Sequence, residues 1–355
     1  METAIILTGG LLDSTDAKTA HGLIRESNQF TIVGIVDTVC AGRDAGELLD
    51  GVRRDIPVLG SIHEALLLRP RYCIIGVATI GGVFPESMLD DVRIAISAGL
   101  SIVNGLHDYL SERADIRELA EAKGVELIDV RKPKRREDLH FWTGEIFKIE
   151  PPVIAVLGTD CALGKRTTTR FLLNDCRDAG LNAHMIYTGQ TGWLQGGKYG
   201  FIFDSTLNDF VAGELEYAIL KCASEENPDI IFLEGQSALR NPSGPCGSEF
   251  LVSGNARHAI LVHAPKRKHY DHLENWGRIP SIESEIELVA LYGSKVLAVA
   301  LNTEDCTPEE AIRFQRDYED RLGIPVLLPL SEGCQRIIPV LKSLCPSHVS
   351  LKNRE

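Results

Sequence analysis

The chain has 355 residues, which corresponds to about two domains. With 44% hydrophobic and 25% charged residues it has the composition of a globular protein. It has 37 lysines and arginines and 50 aspartates and glutamates, so the formal net charge is −13. This acidic balance argues against nucleic acid and anionic membranes as partners, since both need a basic surface. A basic cluster in such a chain would therefore indicate a local site for a small anionic ligand.

Targeting segments and metal motifs are absent from the sequence pattern. No apolar run has the length of a transmembrane helix, and METAIILTGGLL lacks the basic region and cleavage site of a signal peptide. The nine cysteines are odd in number, include no CxxC pair, and several lie in apolar segments, as Cys73 does. These features predict a cytoplasmic protein with reduced thiols and no structural zinc. We also expect a homo-oligomer.

In residues 1–130, apolar runs alternate with helical patterns. The runs AIILTGG, FTIVGIVD, RYCIIGVA, SIVNG and VELIDV are short and rich in β-branched residues, as buried parallel strands are. The segments between them have helical spacing, as in PESMLDDVRIAISAG and DIRELAEAKG. The alternation predicts a Rossmann-like domain, with a parallel sheet covered by helices on both faces.

The end of the first predicted strand is reminiscent of a dinucleotide site. Gly9 and Gly10 follow that strand, and Asp37 ends the second one, where a ribose-binding acid would lie. The full G-x-G-x-x-G pattern is missing. A domain used for docking or substrate enclosure is therefore favoured over one that binds NAD.

A charged, proline-containing segment at residues 131–150 interrupts the pattern and predicts a linker. A second α/β series follows in residues 151–355, with candidate strands VIAVLG, HMIYTG, DIIFLEG, HAILVHAP, VLAVALN and IPVLLPL. A helix is predicted between Thr307 and Gly323, because Thr307 and Glu310 form a capping box and Pro308 suits the first helical position. The chain is thus expected to be α/β throughout, with two parallel sheets in two domains.

The strongest motif is a phosphate-binding loop. The apolar strand Val153 to Leu157 runs into Gly158-Thr-Asp-Cys-Ala-Leu-Gly164-Lys165, and a helical pattern follows. In such a loop, inward N–H groups, a helix N-terminus and a lysine together attract phosphate. The alternative is an ordinary glycine-rich turn between strand and helix, which Gly164-Lys165 at this position disfavours.

Two features distinguish this loop from the usual P-loop. Five residues separate its glycines instead of four, which is the spacing of dethiobiotin synthetase, whose GTDxxxGK signature the loop resembles. Arg166 occupies the position where Ser or Thr normally binds magnesium. Thr167 lies about 100° further around the helix and would point elsewhere. Both features suit a diphosphate held without catalytic magnesium, as in coenzyme A, more than a hydrolysed nucleoside triphosphate.

Other polar residues follow the predicted strands of the second domain. Glu234 ends DIIFLEG beside the loop strand, where it could hold magnesium, position water or accept a proton, or simply end the strand. Thr188, Gln190 and Thr191 end another strand, and ligands of parallel sheets bind at such carboxyl ends. Asp209 precedes an apolar helix, so a helix N-cap is the alternative to a catalytic role.

The sequence HAPKRKHYDH contains a basic cluster. His263 ends a strand and Lys266, Arg267 and Lys268 follow it, so the cluster could bind carboxylates or phosphate at the mouth of the sheet. A solvated basic loop is the alternative. The histidine spacing lacks the companion ligands of a metal site. Asn302 ends a further strand, where a turn role is favoured over recognition of a base.

Five motifs in one order carry a family resemblance: GTDCALGKRTTT, YTGQTGW, NDFVAGELE, FLEGQSAL and HAPKRKH. Over nearly its whole length, the chain resembles a bacterial and archaeal P-loop family long known only as a domain of unknown function. Its members pair a Rossmann-like N-terminal domain with a dethiobiotin-synthetase-like P-loop domain. The family includes D-glutamate N-acetyltransferase, which moves the acetyl group of acetyl-CoA to the amino group of D-glutamate.

The resemblance implies an acetyltransferase acting on an acidic amino acid, with acetyl-CoA as co-substrate and no metal. The residues expected to bind the cofactor are Gly158, Thr159, Asp160, Cys161, Gly164, Lys165, Arg166 and Thr167. The candidates for the base are Glu234, Asp209 and His263, the last because the pKa of histidine is ordinarily near neutrality. The residues expected to bind the substrate are Thr188, Gln190, Thr191, Gln236, Arg240, Lys266 and Lys268. An acyl intermediate on Cys161 is disfavoured, because the loop serves phosphate binding.

Two other functions remain open at this stage. One is an ATP- and magnesium-dependent ligase or kinase of the dethiobiotin synthetase type, which would need Glu234, Asp209 or Thr167 as magnesium ligands. The other is a nucleotide-binding regulator without enzymatic activity. Binding of acetyl-CoA compared with ATP and magnesium distinguishes the first from the acetyltransferase, and turnover distinguishes the second.

Overall fold

The computed structural model describes residues 1–345, which divide into two compact units. Unit 1 comprises Met1–Lys134 and Gly189–Lys198. Unit 2 comprises Arg135–Thr188 and the chain from Tyr199 onward. Each unit is built on a parallel sheet, as the alternating sequence pattern predicts.

The sheet of unit 1 has six parallel strands in the order β3-β2-β1-β4-β5-β6. The strands are β1 (Glu2–Leu7), β2 (Phe30–Val36), β3 (Val58–Leu59), β4 (Tyr72–Ile75), β5 (Ser101–Asn104) and β6 (Leu127–Asp129). The helices are α1 (Lys18–Arg25), α2 (Ala45–Asp50), α3 (Ile62–Leu66), α4 (Leu89–Ser97) and α5 (Ala114–Lys123). This strand order is the Rossmann order, so the predicted fold is confirmed. Among the strands and α-helices of residues 1–134, the sequence pattern missed the short elements β3 and α2.

Both faces of this sheet are covered by apolar side chains. Ile5 and Leu7 of β1 belong to one core cluster, and Ala4 and Ile6 belong to the other. A strand buried on both faces is apolar at every position, which explains why β1 appears as a continuous run and not as an alternating pattern.

The sheet of unit 2 has seven parallel strands in the order β13-β12-β11-β7-β10-β8-β9. The strands are β7 (Val153–Gly158), β8 (Ala183–Tyr187), β9 (Tyr199–Gly200), β10 (Ile230–Glu234), β11 (His258–His263), β12 (Lys295–Leu301) and β13 (Val326–Leu327). The helices from this part of the chain are α6 (Lys165–Asp178), α7 (Gln190–Leu194), α8 (Asn208–Glu226), α9 (Ser248–Val252), α10 (Ile282–Leu291), α11 (Pro308–Leu322), α12 (Pro329–Glu332) and α13 (Ile338–Leu344). Since all pairs are parallel, the carboxyl ends of β7, β10 and β11 meet at one edge.

The end signals of α11 are present as the sequence predicts. The Thr307 side chain accepts a hydrogen bond from the Glu310 N–H, and the Glu310 carboxylate accepts one from the Thr307 N–H. Pro308 occupies the first turn, and Gly323 ends the helix in the left-handed conformation. Each signal satisfies backbone groups that the helix leaves without an internal partner.

The segment predicted as a linker, residues 131–150, is shared between the units, with the division after Lys134. Its part in unit 2 is attached to α8 by two buried glutamates. Glu214 accepts hydrogen bonds from the backbone N–H and the ring of His140, and Glu216 accepts them from the N–H groups of Thr143 and Ile146. The glutamates thus replace the backbone partners that an irregular segment lacks, and they hold it against the helix.

Helix α7 lies between β8 and β9 in sequence but belongs to unit 1. The hydroxyls of Thr191 and Thr19 are 3.3 Å apart, and the Gln195 side chain donates to the carbonyl oxygens of Gly22 and Glu26. These bonds join residues 189–198 to α1. None of the helices in residues 1–345 combines the length and apolar character that a membrane crossing requires.

Candidate active site

The loop between β7 and α6 contains two residues in the left-handed conformation. Gly164 has φ 86° at the N-terminus of α6, a value that suits glycine, whereas Ala162 adopts φ 48°. Such a conformation is strained for alanine and persists only where surrounding contacts hold it. The loop is therefore a rigidly held turn that delivers the chain into the first turn of α6.

Lys165 closes the loop from inside. Its side chain is buried, and its Nζ donates a hydrogen bond of 2.7 Å to the carbonyl oxygen of Asp160. The ammonium thus lies within the turn, where it adds a full charge to the partial positive charge of the helix N-terminus. This is the arrangement of a phosphate-binding loop.

Asp160 holds neighbouring segments against the loop. It is fully buried, and its carboxylate accepts hydrogen bonds from Asn241 Nδ2 at 2.9 Å, Arg267 Nη1 at 3.0 Å and the Asp271 N–H at 2.9 Å. Arg267 also donates to the Cys161 carbonyl and makes a bidentate pair with Glu304. Although burial alone would lower the pKa of Arg267, its bonds to Glu304 and Asp160 outweigh that effect and raise it. The loop conformation thus depends on residues more than 80 positions away.

The Cys161 thiol contacts the turn that follows β10. Its Sγ lies 3.2 Å from Ser237 Oγ and 3.4 Å from Asn241 Nδ2, and Ser237 has the strained φ of 39°. Burial raises the pKa of the thiol, which keeps it protonated and weakens it as a nucleophile. Cys161 also forms, with Asp160 and Asp271, a group of metal-ligand atoms within 4.8 Å of one another. Arg267 already supplies the positive charge there, so a cation would compete with it.

Glu234 lies at the end of the strand next to the loop strand. It is buried, its Oε1 is 3.7 Å from Arg166 Nη1, and its Oε2 accepts a bond from the Thr188 N–H. Burial raises the pKa of the carboxyl, while Arg166, the Thr188 N–H and Lys165 act in the opposite direction. Gly235 then lets the chain pass over β7, since a Cβ there would lie 2.2 Å from the Val156 carbonyl oxygen.

His263 is buried between the loop and α11. Nδ1 is 3.0 Å from Thr159 Oγ1, and Nε2 is 3.2 Å from the Tyr318 hydroxyl. Burial lowers the pKa of the imidazole to about 4, so the ring is neutral at physiological pH with both nitrogens engaged. The ordinary pKa that made His263 a candidate base does not apply at this position.

This lowered pKa makes a prediction about stability. Below pH 6.5 the unfolded chain protonates His263 while the folded protein does not, so the free energy of unfolding falls as the pH drops toward 4. Near pH 5 the penalty should be about 2 kcal/mol. In urea unfolding, the free energy of unfolding of His263→Gln should fall by about 2 kcal/mol less than that of the wild type between neutral pH and pH ~5. The control His269→Gln, in the same unit, should show the full wild-type decrease. Equal declines in both variants would contradict a buried neutral His263.

Lys266 and Arg267 of the basic cluster, and Arg240 after β10, have different partners. Lys266 donates to the Glu310 carboxylate and to the Asp305 carbonyl, and Lys268 is exposed. Arg240 donates from Nε to the buried Glu285, and within residues 1–345 its buried Nη2 has no hydrogen-bond partner. The residue of this cluster that reaches the loop is Arg267, which is outside the predicted set of substrate ligands.

The other predicted substrate residues fall into two groups. Gln236 Nε2 donates to Thr188 Oγ1, which in turn donates to the Glu234 carbonyl, so these residues lie together beside the loop strand. Gln190 and Thr191 are buried in unit 1, where both contact Thr19.

The structure gives local positions for Asp209, predicted before a helix, and for Asn302, predicted at a strand end. Asp209 is not the N-cap of α8, because the cap is Leu207 and Asp209 is the second helical residue, exposed and in the first turn. There its charge favours the helix dipole. Asn302 Nδ2 donates to the Leu163 carbonyl and its Oδ1 accepts from the Glu304 N–H, which confirms the turn role.

Besides Arg267 and Asn302, three further residues that contact the loop were absent from the predicted site: Ser237, Asn241 and Asp271. Each lies in an irregular segment after a strand end, and short polar residues there are expected of any turn. The usable signal was their position after β10 and β11, the neighbours of the loop strand.

In unit 1, the carboxylate of Asp37 is engaged in hydrogen bonds with neighbouring loop residues. Its carboxylate accepts bonds from Thr8 Oγ1 and from the N–H groups of Leu12, Val39 and Cys40. These bonds lower the pKa of Asp37 against the effect of burial. A ribose hydroxyl would have to displace one of them, so the geometry favours a structural role.

Known proteins share this combination of a Rossmann-like unit and a P-loop. Residues 140–338 match the family model described as "Domain of unknown function (DUF1611_C) P-loop domain", and residues 38–133 match its "Rossmann-like domain" counterpart. The chain belongs to the DUF1611 family. A crystal structure of a DUF1611 family protein from Anabaena variabilis has a TM-score of 0.89 and 27% identity, covering 97% of this chain and all of that one.

Two curated relatives of this DUF1611 protein carry the name D-glutamate N-acetyltransferase. The one from Tritonibacter scottomollicae is 30% identical over 292 residues, covering 80% of this chain and 85% of the relative. The one from a Pseudoalteromonas species is 30% identical over 285 residues, covering 78% and 83%. The predicted family is thereby confirmed.

Proposed function

We propose that this DUF1611 protein transfers the acetyl group of acetyl-CoA to the amino group of an acidic amino acid, with D-glutamate as the expected acceptor. The observation that carries the proposal is a phosphate loop with two adjacent cations, Lys165 and Arg166, in a chain 30% identical over most of its length to proteins named D-glutamate N-acetyltransferase. ATP-dependent ligation and nucleotide-dependent regulation are the alternatives that the experiment below separates.

Free backbone donors and two cations in the loop support a diphosphate ligand such as coenzyme A. Within residues 1–345, the N–H groups of Ala162, Leu163 and Gly164 donate no hydrogen bond, and the first turn of α6 leaves further N–H groups without an internal acceptor. Lys165 and Arg166 add two positive charges beside these donors. Acetyl-CoA, when bound, supplies a thioester whose carbonyl carbon is open to attack by an amine.

The separation between the diphosphate and the thioester of coenzyme A favours a base that lies away from the cations of the loop. The pantetheine arm between the diphosphate and the thioester extends over about four residue lengths, or roughly 14 Å. Glu234 lies beside Arg166 and therefore on the phosphate side. Both nitrogens of His263 are occupied. Of the three candidates, Asp209 is the one whose carboxylate is exposed and makes no hydrogen bond in residues 1–345, and we assign it the proton of the acceptor ammonium.

We assign a carboxylate of the acceptor to Arg240. Glu285 fixes Nε at 2.8 Å, while the buried Nη2 lacks a partner within the described chain. A buried donor without an acceptor is unfavourable, and a carboxylate would satisfy it with a charge-assisted hydrogen bond. Lys266 is less available, because it already pairs with Glu310.

The activity test measures release of the coenzyme A thiol from acetyl-CoA with D-glutamate, L-glutamate or D-aspartate as acceptor. Thiol release that depends on one of these acceptors is the expected result. Asp209→Asn should lower kcat about 100-fold or more with unchanged affinity for coenzyme A, and Asp320→Asn, which changes an exposed aspartate of α11, should behave as the wild type. Tight binding of ATP with magnesium and none of coenzyme A would indicate a ligase or kinase, and absence of turnover with every acceptor would favour a regulator.

A further inference from the structure

One of the two protein ligands that hold magnesium in P-loop NTPases is replaced in this protein, and the other is engaged by the replacement. In P-loop NTPases, magnesium is held by the Ser or Thr that follows the loop lysine and by an acid on a second strand. Here Arg166 follows Lys165, and the acid at the end of the adjacent strand β10 is Glu234. Both positions are filled by residues that interact with each other.

The contact between these two residues leaves little room for a cation. Arg166 Nη1 lies 3.7 Å from Glu234 Oε1, with the side chains 19% and 5% exposed. The other carboxylate oxygen of Glu234 accepts a hydrogen bond from the Thr188 N–H. A magnesium ion on Glu234 would therefore have to displace a guanidinium and approach it closely, which like charges oppose.

The hydroxyls that follow do not restore the missing ligand. Thr167 lies about 100° around the helix from Arg166. Thr168 and Thr169 are buried, and Thr169 Oγ1 donates to the Lys165 carbonyl within the helix. No threonine of this turn takes the place that Arg166 occupies.

We propose that the loop binds its diphosphate ligand without a divalent cation, with the Arg166 guanidinium in the place of the metal and with Glu234 as the residue that positions that guanidinium. The identity of the ligand as coenzyme A rests on the proposed function, whereas the absence of a metal requirement rests on the Arg166–Glu234 pair. A planar guanidinium suits this task, since it can donate to phosphate and carboxylate from different nitrogens.

The test is calorimetric titration of the full chain with coenzyme A and, separately, with inorganic pyrophosphate, each in EDTA and in magnesium chloride. The wild type should bind coenzyme A with affinities within about twofold in the two buffers, because no divalent cation takes part in binding. Arg166→Thr should lose about tenfold or more in EDTA. Magnesium should restore part of that loss, because the new hydroxyl and Glu234 recreate the usual ligand pair.

A double-mutant cycle tests the positioning role of Glu234. Glu234→Gln should weaken coenzyme A binding in EDTA when Arg166 is present and should cause no further loss in Arg166→Thr. In Arg166→Thr with Glu234→Gln, magnesium should restore nothing, a result that a merely structural role for Glu234 would not produce. Arg170→Thr removes the same charge one helical turn further on, and its affinity should change by no more than about twofold. If Arg166→Thr does not fold, Arg166→Lys provides a second test. Lysine keeps the positive charge but lacks the paired N–H donors of the guanidinium, so this variant should bind coenzyme A more weakly but still without metal.

The outcomes separate this inference from the proposed function. Coenzyme A binding that requires magnesium in the wild type, or wild-type affinity of Arg166→Thr in EDTA, would overturn the metal-free loop. Pyrophosphate binding in EDTA without any binding of coenzyme A would support the loop inference and reject the acetyltransferase. Binding of neither ligand by the folded protein would reject both.

Discussion

Lys165→Met should reduce the affinity for coenzyme A about 100-fold, the largest effect on binding that we expect from one substitution. The side chain is buried within the loop, and its Nζ donates a hydrogen bond to the Asp160 carbonyl. A bound phosphate would replace this neutral acceptor with a charged one. Methionine keeps the apolar stem and removes only the charge. Calorimetric titration with coenzyme A measures the change directly.

Two controls show whether a loss of affinity comes from the loop itself and not from a general change of charge or from unfolding. Lys221→Met replaces an exposed lysine of α8, and its affinity should match that of the wild type. The melting temperature of Lys165→Met should fall by only a few degrees, since the lost hydrogen bond contributes about 1 kcal/mol. Unchanged affinity in folded Lys165→Met would show that the ligand does not use this loop.

Asp160→Ala should lower the free energy of unfolding of unit 2 by about 3 kcal/mol. The substitution removes the acceptor of three donors, one of them the guanidinium of the buried Arg267. Arg267 would keep its pair with Glu304 but lose its buried partner, and the Asn241 amide would lose one of its acceptors. Urea unfolding followed by the fluorescence of Trp142 and Trp276, both in unit 2, measures the effect.

A graded series shows whether the charge or the shape of Asp160 is responsible. Asp160→Asn keeps the shape and one acceptor oxygen, so its loss should lie between those of the wild type and Asp160→Ala. Asp320→Asn changes an exposed aspartate of α11 and should stay within about 0.5 kcal/mol of the wild type. A loss below about 1 kcal/mol in Asp160→Ala would mean that the loop does not depend on this network.

Local sequence determined the elements of the fold because their signals are short-range. The run VIAVLG predicted β7, and the capping box at Thr307 placed the start of α11. The missed strands β3 and β9 have only two residues each, too few for a periodic pattern to show. The assignment of residues 189–198 to unit 1 had no local signal, because it depends on bonds to residues about 170 positions away.

The candidate site divides in the same way. The sequence by itself determined the phosphate loop, since the spacing of Gly158, Gly164 and Lys165 is set by one turn and one helix start. Only the tertiary structure decided what the surrounding charges do: Arg267 holds Asp160, Lys266 pairs with Glu310, and Arg166 pairs with Glu234. A run such as Lys266-Arg267-Lys268 shows in the sequence that charge is present, but it does not show which partner each side chain contacts. Each partner comes from a different strand end or helix, and burial determines which charges must be paired.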